Sequence, residues 1–188
     1  MEQVLHNYIQ DTENGITNFN LACAYFNIGQ TSAAISYFLR AAERLLNKND
    51  QYAALLMIAE CFNLQKNRNF STISTLQQAI SLLPNRPEAY YLLSLVYATQ
   101  ERWMDSYMIL SIGVIVADIQ NTNLCINVGY PGKYALMFQY GLASWWIGLP
   151  HQAKNIFYDL KNNYTMDQQH ITAIENNIND VLAKLSTP

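Results

Sequence analysis

Large, small and aromatic side chains recur along this chain at the spacing of a helix pair, and no other feature narrows the possible folds as far. Leu21-Ala22, Tyr25, Gly29, Ala34, Phe38 and Ala41 set the frame. It returns at Ala59, Phe62, Leu76, Ala79 and Pro84 if one extra residue sits in the turn around Lys66 to Asn69. It returns again, without a gap, at Pro87, Tyr90, Leu93, Ser94, Tyr97, Ser106, Leu110 and Gly113. A fourth copy runs through Gly141, Gly148, Ala153, Phe157 and Leu160, although Ser144 stands where an aromatic is expected and Trp145 follows it. The small residues have a mechanical role: where two helices cross closely, a side chain without bulk lets the backbones approach, and a neighbouring Tyr or Phe fills the space beside it.

The frame predicts helices over about 17–29 with 31–46, 51–66 with 70–83, 87–100 with 103–118, and 133–148 with 150–163. Gly29 and Gly148 suit the left-handed position after a helix, and Pro87 and Pro150 a first helical turn. Between the third and fourth copies the chain carries about 13 residues beyond a period of about 34. These form an insertion from Ile119 to Gly132, closed by Tyr130-Pro131-Gly132-Lys133, which reads as a type II turn. After the last copy, Thr165 or Asp167 can cap a helix with Ile171, Ile174, Ile178, Val181 and Leu185 on one stripe. Glu175, Asn176, Asn177, Asn179 and Asp180 lie on its other face, the pattern of a solvating cap. Val4, Leu5, Tyr8 and Ile9 offer a smaller cap at the other end.

Composition excludes several functions. Of the 188 residues 51% are hydrophobic and 13% charged, so the chain should fold, and the net charge of −3 without a Lys/Arg cluster argues against nucleic acid. The start MEQVLHNYIQ has no signal-peptide pattern, and the most apolar run, Met108 to Ala117, is too short to span a membrane. A cytoplasmic protein is expected, with Cys23, Cys61 and Cys125 as reduced, buried thiols. Asn-Phe-Ser at 69–71 and Asn-Tyr-Thr at 163–165 match the glycosylation pattern, which has no consequence without secretion. No metal, cofactor or catalytic set is predicted. His6, His151 and His170 lack ligand spacing and suit surface or capping roles, and Lys133 after Gly132 lacks the rest of a phosphate loop. No Ser-His-Asp or Cys-His set can be assembled.

The runs NFNLACAYFNIGQTSAAISYFLRAAE, YAALLMIAECFN and PNRPEAYYLLSLVYATQERWMDSYM resemble tetratricopeptide (TPR) repeats. Together with YPGKYALMFQYGLASWWIGLPHQAKNIFYDL they are similar to the helical-repeat region that accompanies a family 2-type glycosyltransferase domain. The resemblance covers about residues 16 to 163. It implies an all-α, TPR-like right-handed superhelix of about four antiparallel helix pairs with terminal capping helices, forming a single domain. Its parts would be an N-terminal helix at 1–12, repeats at 15–48, 51–85 and 87–118, the inserted loop at 119–132, a fourth repeat at 133–164 and a capping helix at 166–186. The α/β nucleotide-sugar domain and a pair of aspartates separated by one residue are both missing, so the chain is at most an accessory region of such an enzyme.

In TPR proteins the first helix of each pair lines a concave groove. Carried over, the resemblance puts Phe19, Cys23, Phe26 and Asn27 there from the first repeat, and Leu56, Glu60 and Asn63 from the second. Tyr91, Leu95 and Thr99 come from the third, and Phe138, Leu142, Trp145 and Trp146 from the fourth. The set is aromatic and amide-rich, as peptide-binding surfaces are. Packing among themselves or against a terminal helix is the competing role. Phe19 and Cys23 stand where a carboxylate-clamping TPR module needs a cation and an asparagine, which disfavours that variant. The implied function is a non-catalytic scaffold that binds a protein or peptide partner in the groove. The alternatives are a region linked to a glycosyltransferase domain and touching glycan or acceptor, for which Trp145 and Trp146 could stack on sugar, and a self-assembly module forming homo-oligomers.

Overall fold

Turn chemistry divides the chain before packing does. The computed structural model describes residues 1–166 and 168–185, with side chains as far as 180. They form α1 (Glu2–Gln10), α2 (Gly15–Asn27), α3 (Thr31–Arg44), α4 (Lys48–Leu64), α5 (Asn69–Leu82), α6 (Glu88–Thr99), α7 (Trp103–Val116), α8 (Lys133–Trp146), α9 (Pro150–Asn163) and α10 (Gln168–Leu185). No strand occurs among the described residues. The Asn14 side chain accepts from the Ile16 and Thr17 amides and starts α2, and Asn47 starts α4 by accepting from the Asn49 amide.

Three helix ends close in the same way. The amides of Gln30, Arg102 and Leu149 each donate back to a carbonyl five residues earlier, on Tyr25, Tyr97 and Ser144, all at 2.9 Å. This closure needs a left-handed residue, supplied by Gly29 (φ 75°), Glu101 (φ 57°) and Gly148 (φ 83°). Only Glu101 carries a Cβ into that region, at a cost of roughly 1–2 kcal/mol. Glu101→Gly is therefore expected to raise stability by about 1 kcal/mol, read as a higher urea midpoint at unchanged slope; no gain would mean that the turn is unstrained. Lys66 and Asn67, also left-handed (φ 54° and 50°), occupy the α4–α5 turn, where the repeat frame required its extra residue.

The chain forms two compact units. Unit 1 comprises Met1–Ala89 with Asn121–Gly129, and unit 2 comprises Tyr90–Gln120 and the chain from Tyr130 onward. In unit 1, α1 to α5 pack consecutively, and connections of only a few residues make successive neighbours antiparallel. A core of Ala22, Ala34, Phe38, Ala54, Met57, Ile58 and Cys61 joins α2, α3 and α4. In unit 2, α7 packs on α8, α8 on α9 and α9 on α10. Here Met137, Ala153, Ile156, Phe157 and Leu160 meet Ile174 and Ile178 of the last helix. Ala34, Ala79 and Ala153 are each wholly buried, as the close-crossing argument requires.

The terminal helix α10 buries Ile174 and Ile178 and turns Glu175, Asn176, Asn179 and Asp180 to solvent. Asp167, the side chains of Val181 and Leu185, and position 186 lie outside the described residues. At the other end α1 is a thinner cover: Tyr8 meets Tyr37 edge to face at 5.3 Å, while Ile9 remains exposed. The type II turn expected at 130–133 does not form. Gly132 has φ 131° and ψ −179°, whereas that turn needs ψ near 0°. Gly132 instead precedes α8 in a conformation open almost only to glycine, its carbonyl accepting from the Ala135 amide at 3.0 Å.

Candidate functional site

In unit 1 the first-helix faces are those of α2 and α4. Phe19, Cys23 and Phe26 pack on the unit's core while remaining part-exposed, and Phe19 meets the buried Phe38 edge to face at 5.4 Å. Asn27 is exposed at the end of α2. With Asn7, Thr17, Asn20 and Cys23 it lines a depression of about 260 Å³, which Val4 and Ala24 complete. Asn7, Asn20 and Asn27 bring carboxamides to an otherwise largely apolar lining, groups that can both donate to and accept from a peptide backbone.

On α4 the structure separates the expected residues. Leu56 is wholly buried and belongs to the core, so it offers no surface. Asn63 is exposed and hydrogen-bonds the half-buried Glu60. Burial raises the Glu60 carboxyl above its usual value of 4.5, and the bond from Asn63 offsets this only in part. The folded chain thus binds the Glu60 proton more tightly than the unfolded chain. Stability from this group is complete below 4.5 and is lost as pH rises through the elevated folded value. Glu60→Gln is expected to raise the urea midpoint at neutral pH, with the gain shrinking as pH falls through the elevated folded value towards 4.5. A gain independent of pH would contradict this assignment.

The sequence did not disclose what lies against this face. Residues 121–129 of the insertion belong to unit 1, and Ile126 and Val128 pack against its core cluster beside Phe19, Cys23 and Phe26. Arg86, almost fully buried, anchors the segment: its Nη1 donates to the Thr122 carbonyl and to Asn49 Oδ1, both at 3.0 Å. The same guanidinium holds Glu88 through Nη2 to Oε1 at 2.6 Å and Nε to Oε2 at 3.2 Å. Tyr52 OH reaches Glu88 Oε2 at 3.4 Å and accepts from the Ala89 amide at 2.9 Å.

The thiols need correction as well. Cys61 is buried, Cys23 half-buried and Cys125 exposed, and all three are free. Although far apart in sequence they are neighbours in space, since Cys23 interacts electrostatically with both of the others. Burial pushes the Cys23 thiol up to about 11 and Cys61 to about 12, which keeps both protonated at neutral pH.

In unit 2 Tyr91 meets Tyr130 of the insertion, ring centroids 5.5 Å apart. Thr99 is exposed, with its hydroxyl turned back to the Val96 carbonyl at 2.8 Å. Phe138, Leu142 and Trp145 pack on the core shared with α10. His170, expected at the surface or a cap, packs edge-on against Tyr134 (5.1 Å) and Phe138 (5.5 Å). Trp146 diverges from Trp145, as adjacent helical residues must. It is 58% exposed and lies near-parallel to Trp103 at 5.3 Å. Lys133 pairs with Asp118 and clips together the two ends of the insertion. Among the described residues no three of His, Cys, Asp and Glu converge as a metal-holding set, and no helix is long and apolar enough to cross a membrane.

No family model matches the chain, and no curated protein matches it. Solved structures do. It is similar to YrrB, a TPR protein with an unusual peptide-binding site, with a TM-score of 0.70 at 14% identity over 96% of this chain and 82% of that one. The fold is that of TPR proteins. MamA is similar over 84% of this chain and 82% of its own, at 22% identity and TM-score 0.64. TTC0263, a thermophilic TPR protein in Thermus thermophilus, is similar over 96% and 87%, at 10% identity and TM-score 0.57. At these identities the likeness establishes the TPR fold and leaves function to the residues of this chain.

Proposed function

We propose that this chain is a non-catalytic interaction module that binds a segment of a partner protein on its first-helix faces. The observation that carries the reading is the α2 face, where Phe19, Cys23 and Phe26 stand only part-buried beside the amides lining the depression. Half-buried aromatics give a ligand apolar area at little entropic cost, and carboxamides can meet its backbone. The similarity to YrrB, a TPR protein with a peptide-binding site, supports the same reading. Phe19, Phe26, Asn27, Glu60 and Asn63 in unit 1 are its contact residues. Tyr91, Thr99, Trp145 and Trp146 are assigned to unit 2. A cytoplasmic setting is part of the proposal, supported by three free thiols.

The test is an array of immobilised peptides probed with the chain and with Phe26→Ala, Asn27→Ala and Asn63→Ala, each checked for native helicity. Losses of about tenfold for captured peptides are expected. If every captured peptide keeps its affinity for all three variants, the α2/α4 face is not the site.

Two further readings each have an observation behind them. Met104, Met108, Ile112 and Ile115 form an exposed stripe along α7, which favours self-association; a monomer by sedimentation at high concentration removes it. The stack of exposed Trp146 on half-buried Trp103 favours glycan contact in a chain linked to a glycosyltransferase domain, and unchanged tryptophan fluorescence on titration with oligosaccharides removes that one.

A further inference from the structure

The segment 121–129 lies against unit 1 in the manner of a bound peptide. From Leu124 to Gly129 burial alternates residue by residue: Leu124, Ile126 and Val128 are half-buried, while Cys125, Asn127 and Gly129 are exposed. That period of two places alternate side chains on the surface, while the backbone itself bends at Cys125 and Ile126 and again at Gly129, where φ is 74°. The surface here is the α2–α3–α4 core with Phe19, Cys23 and Phe26 beside it.

The repeats also hold the segment's polar groups. Arg86 donates to the Thr122 carbonyl, the Asn121 side chain donates to the Asn85 carbonyl at 3.0 Å, and the Cys125 thiol hydrogen-bonds Asp50. Residues 121–129 carry no charged side chain.

We infer that residues 121–129 are a built-in occupant of the unit 1 face, and that the external ligand is an uncharged peptide with aliphatic side chains at alternate positions, which must displace them. This rests on the peptide-binding reading above and adds to it the ligand's chemistry and its competitor. Displacement is feasible because the inward side chains are only half-buried and the released loop regains backbone entropy. The occupant is covalently tethered, so it competes at a high effective concentration and lowers the apparent affinity for any free peptide.

The experiment uses a fluorescent peptide with the sequence of residues 121–129, read by anisotropy against the full chain. The comparison is the Ile126→Ser/Val128→Ser variant, in which the loop keeps its length but loses its two aliphatic contacts. The variant is expected to bind the peptide about tenfold to a hundredfold more tightly than the unaltered chain. Equal affinities, or no binding to a folded variant, would overturn the inference.

A second measurement needs no variant. Saturating unlabelled peptide should speed hydrogen exchange of the 121–129 amides in the unaltered chain and slow it in α2 and α4; unchanged exchange counts against the inference whether or not the variant folds. If array peptides bind the α2/α4 face but are not displaced by the 121–129 peptide, the inference fails and the peptide-site reading survives. If no peptide of any sequence binds, both fail.

Discussion

Replacing Arg86 with alanine is expected to destabilise unit 1 by about 3–5 kcal/mol, the usual result of stripping one partner from a buried ion pair. The side chains of Arg86 and Glu88 are 3% and 11% exposed, so little water is available to solvate the carboxylate left behind. The change also removes the donor to the Thr122 carbonyl and to Asn49. Urea denaturation followed by circular dichroism measures the loss. Converting both partners, Arg86→Met with Glu88→Leu, should recover much of it, because an apolar pair of similar volume replaces a buried salt bridge at little net cost. A single-variant loss below about 1 kcal/mol would mean that the pair behaves as a surface one.

Gly141 should show the opposite of its helix propensity. Glycine to alanine in a helix interior ordinarily gains about 1 kcal/mol. At Gly141, in α8, an added Cβ would lie 2.6 Å from Cε1 of Phe157 and 2.9 Å from its Cζ, and that ring is wholly buried. Gly141→Ala is therefore expected to destabilise by about 1–3 kcal/mol through overpacking. Phe157→Ala should cost about 3–5 kcal/mol through the cavity it leaves. The two changes should couple, the double variant losing less than the sum of the singles, since the alanine methyl enters space the ring vacates. A stabilising Gly141→Ala would show that the α8–α9 approach is looser than described.

Both effects bear on what the sequence made legible. The helix pairs were readable because close crossings depend on residue size alone: Ala34, Ala79, Ala153 and Gly141 announce themselves locally. Turn closure was readable at Gly29 and Gly148 for the same reason. Arg86 was not. In Asn85-Arg86-Pro87-Glu88 it looks like a charged turn residue, and its burial depends on Thr122, a partner 36 positions away that only the folded chain supplies.

The surface proposed as the site was legible in part. A carried-over frame brought Phe19, Phe26 and Asn27 onto one helix, yet it also nominated Leu56, which the core absorbs. It could not anticipate that the insertion would send Ile126 and Val128 back to unit 1. The clue available was the alternation Leu124, Ile126, Val128, a strand-like period in a loop between two helices. Gly132 misled because Pro-Gly satisfies a type II turn locally, while the start of α8 imposes a different ψ.

The most direct test of the proposed α2/α4 site maps amide chemical shifts of the isotopically labelled chain during titration with an uncharged peptide that carries alternating aliphatic residues. Saturable shifts are predicted at Cys23, Asn27, Glu60 and Asn63, with concurrent shifts across residues 121–129 as the loop leaves. Saturable binding whose shifts fall elsewhere, with α2, α4 and the loop unmoved, would contradict that site.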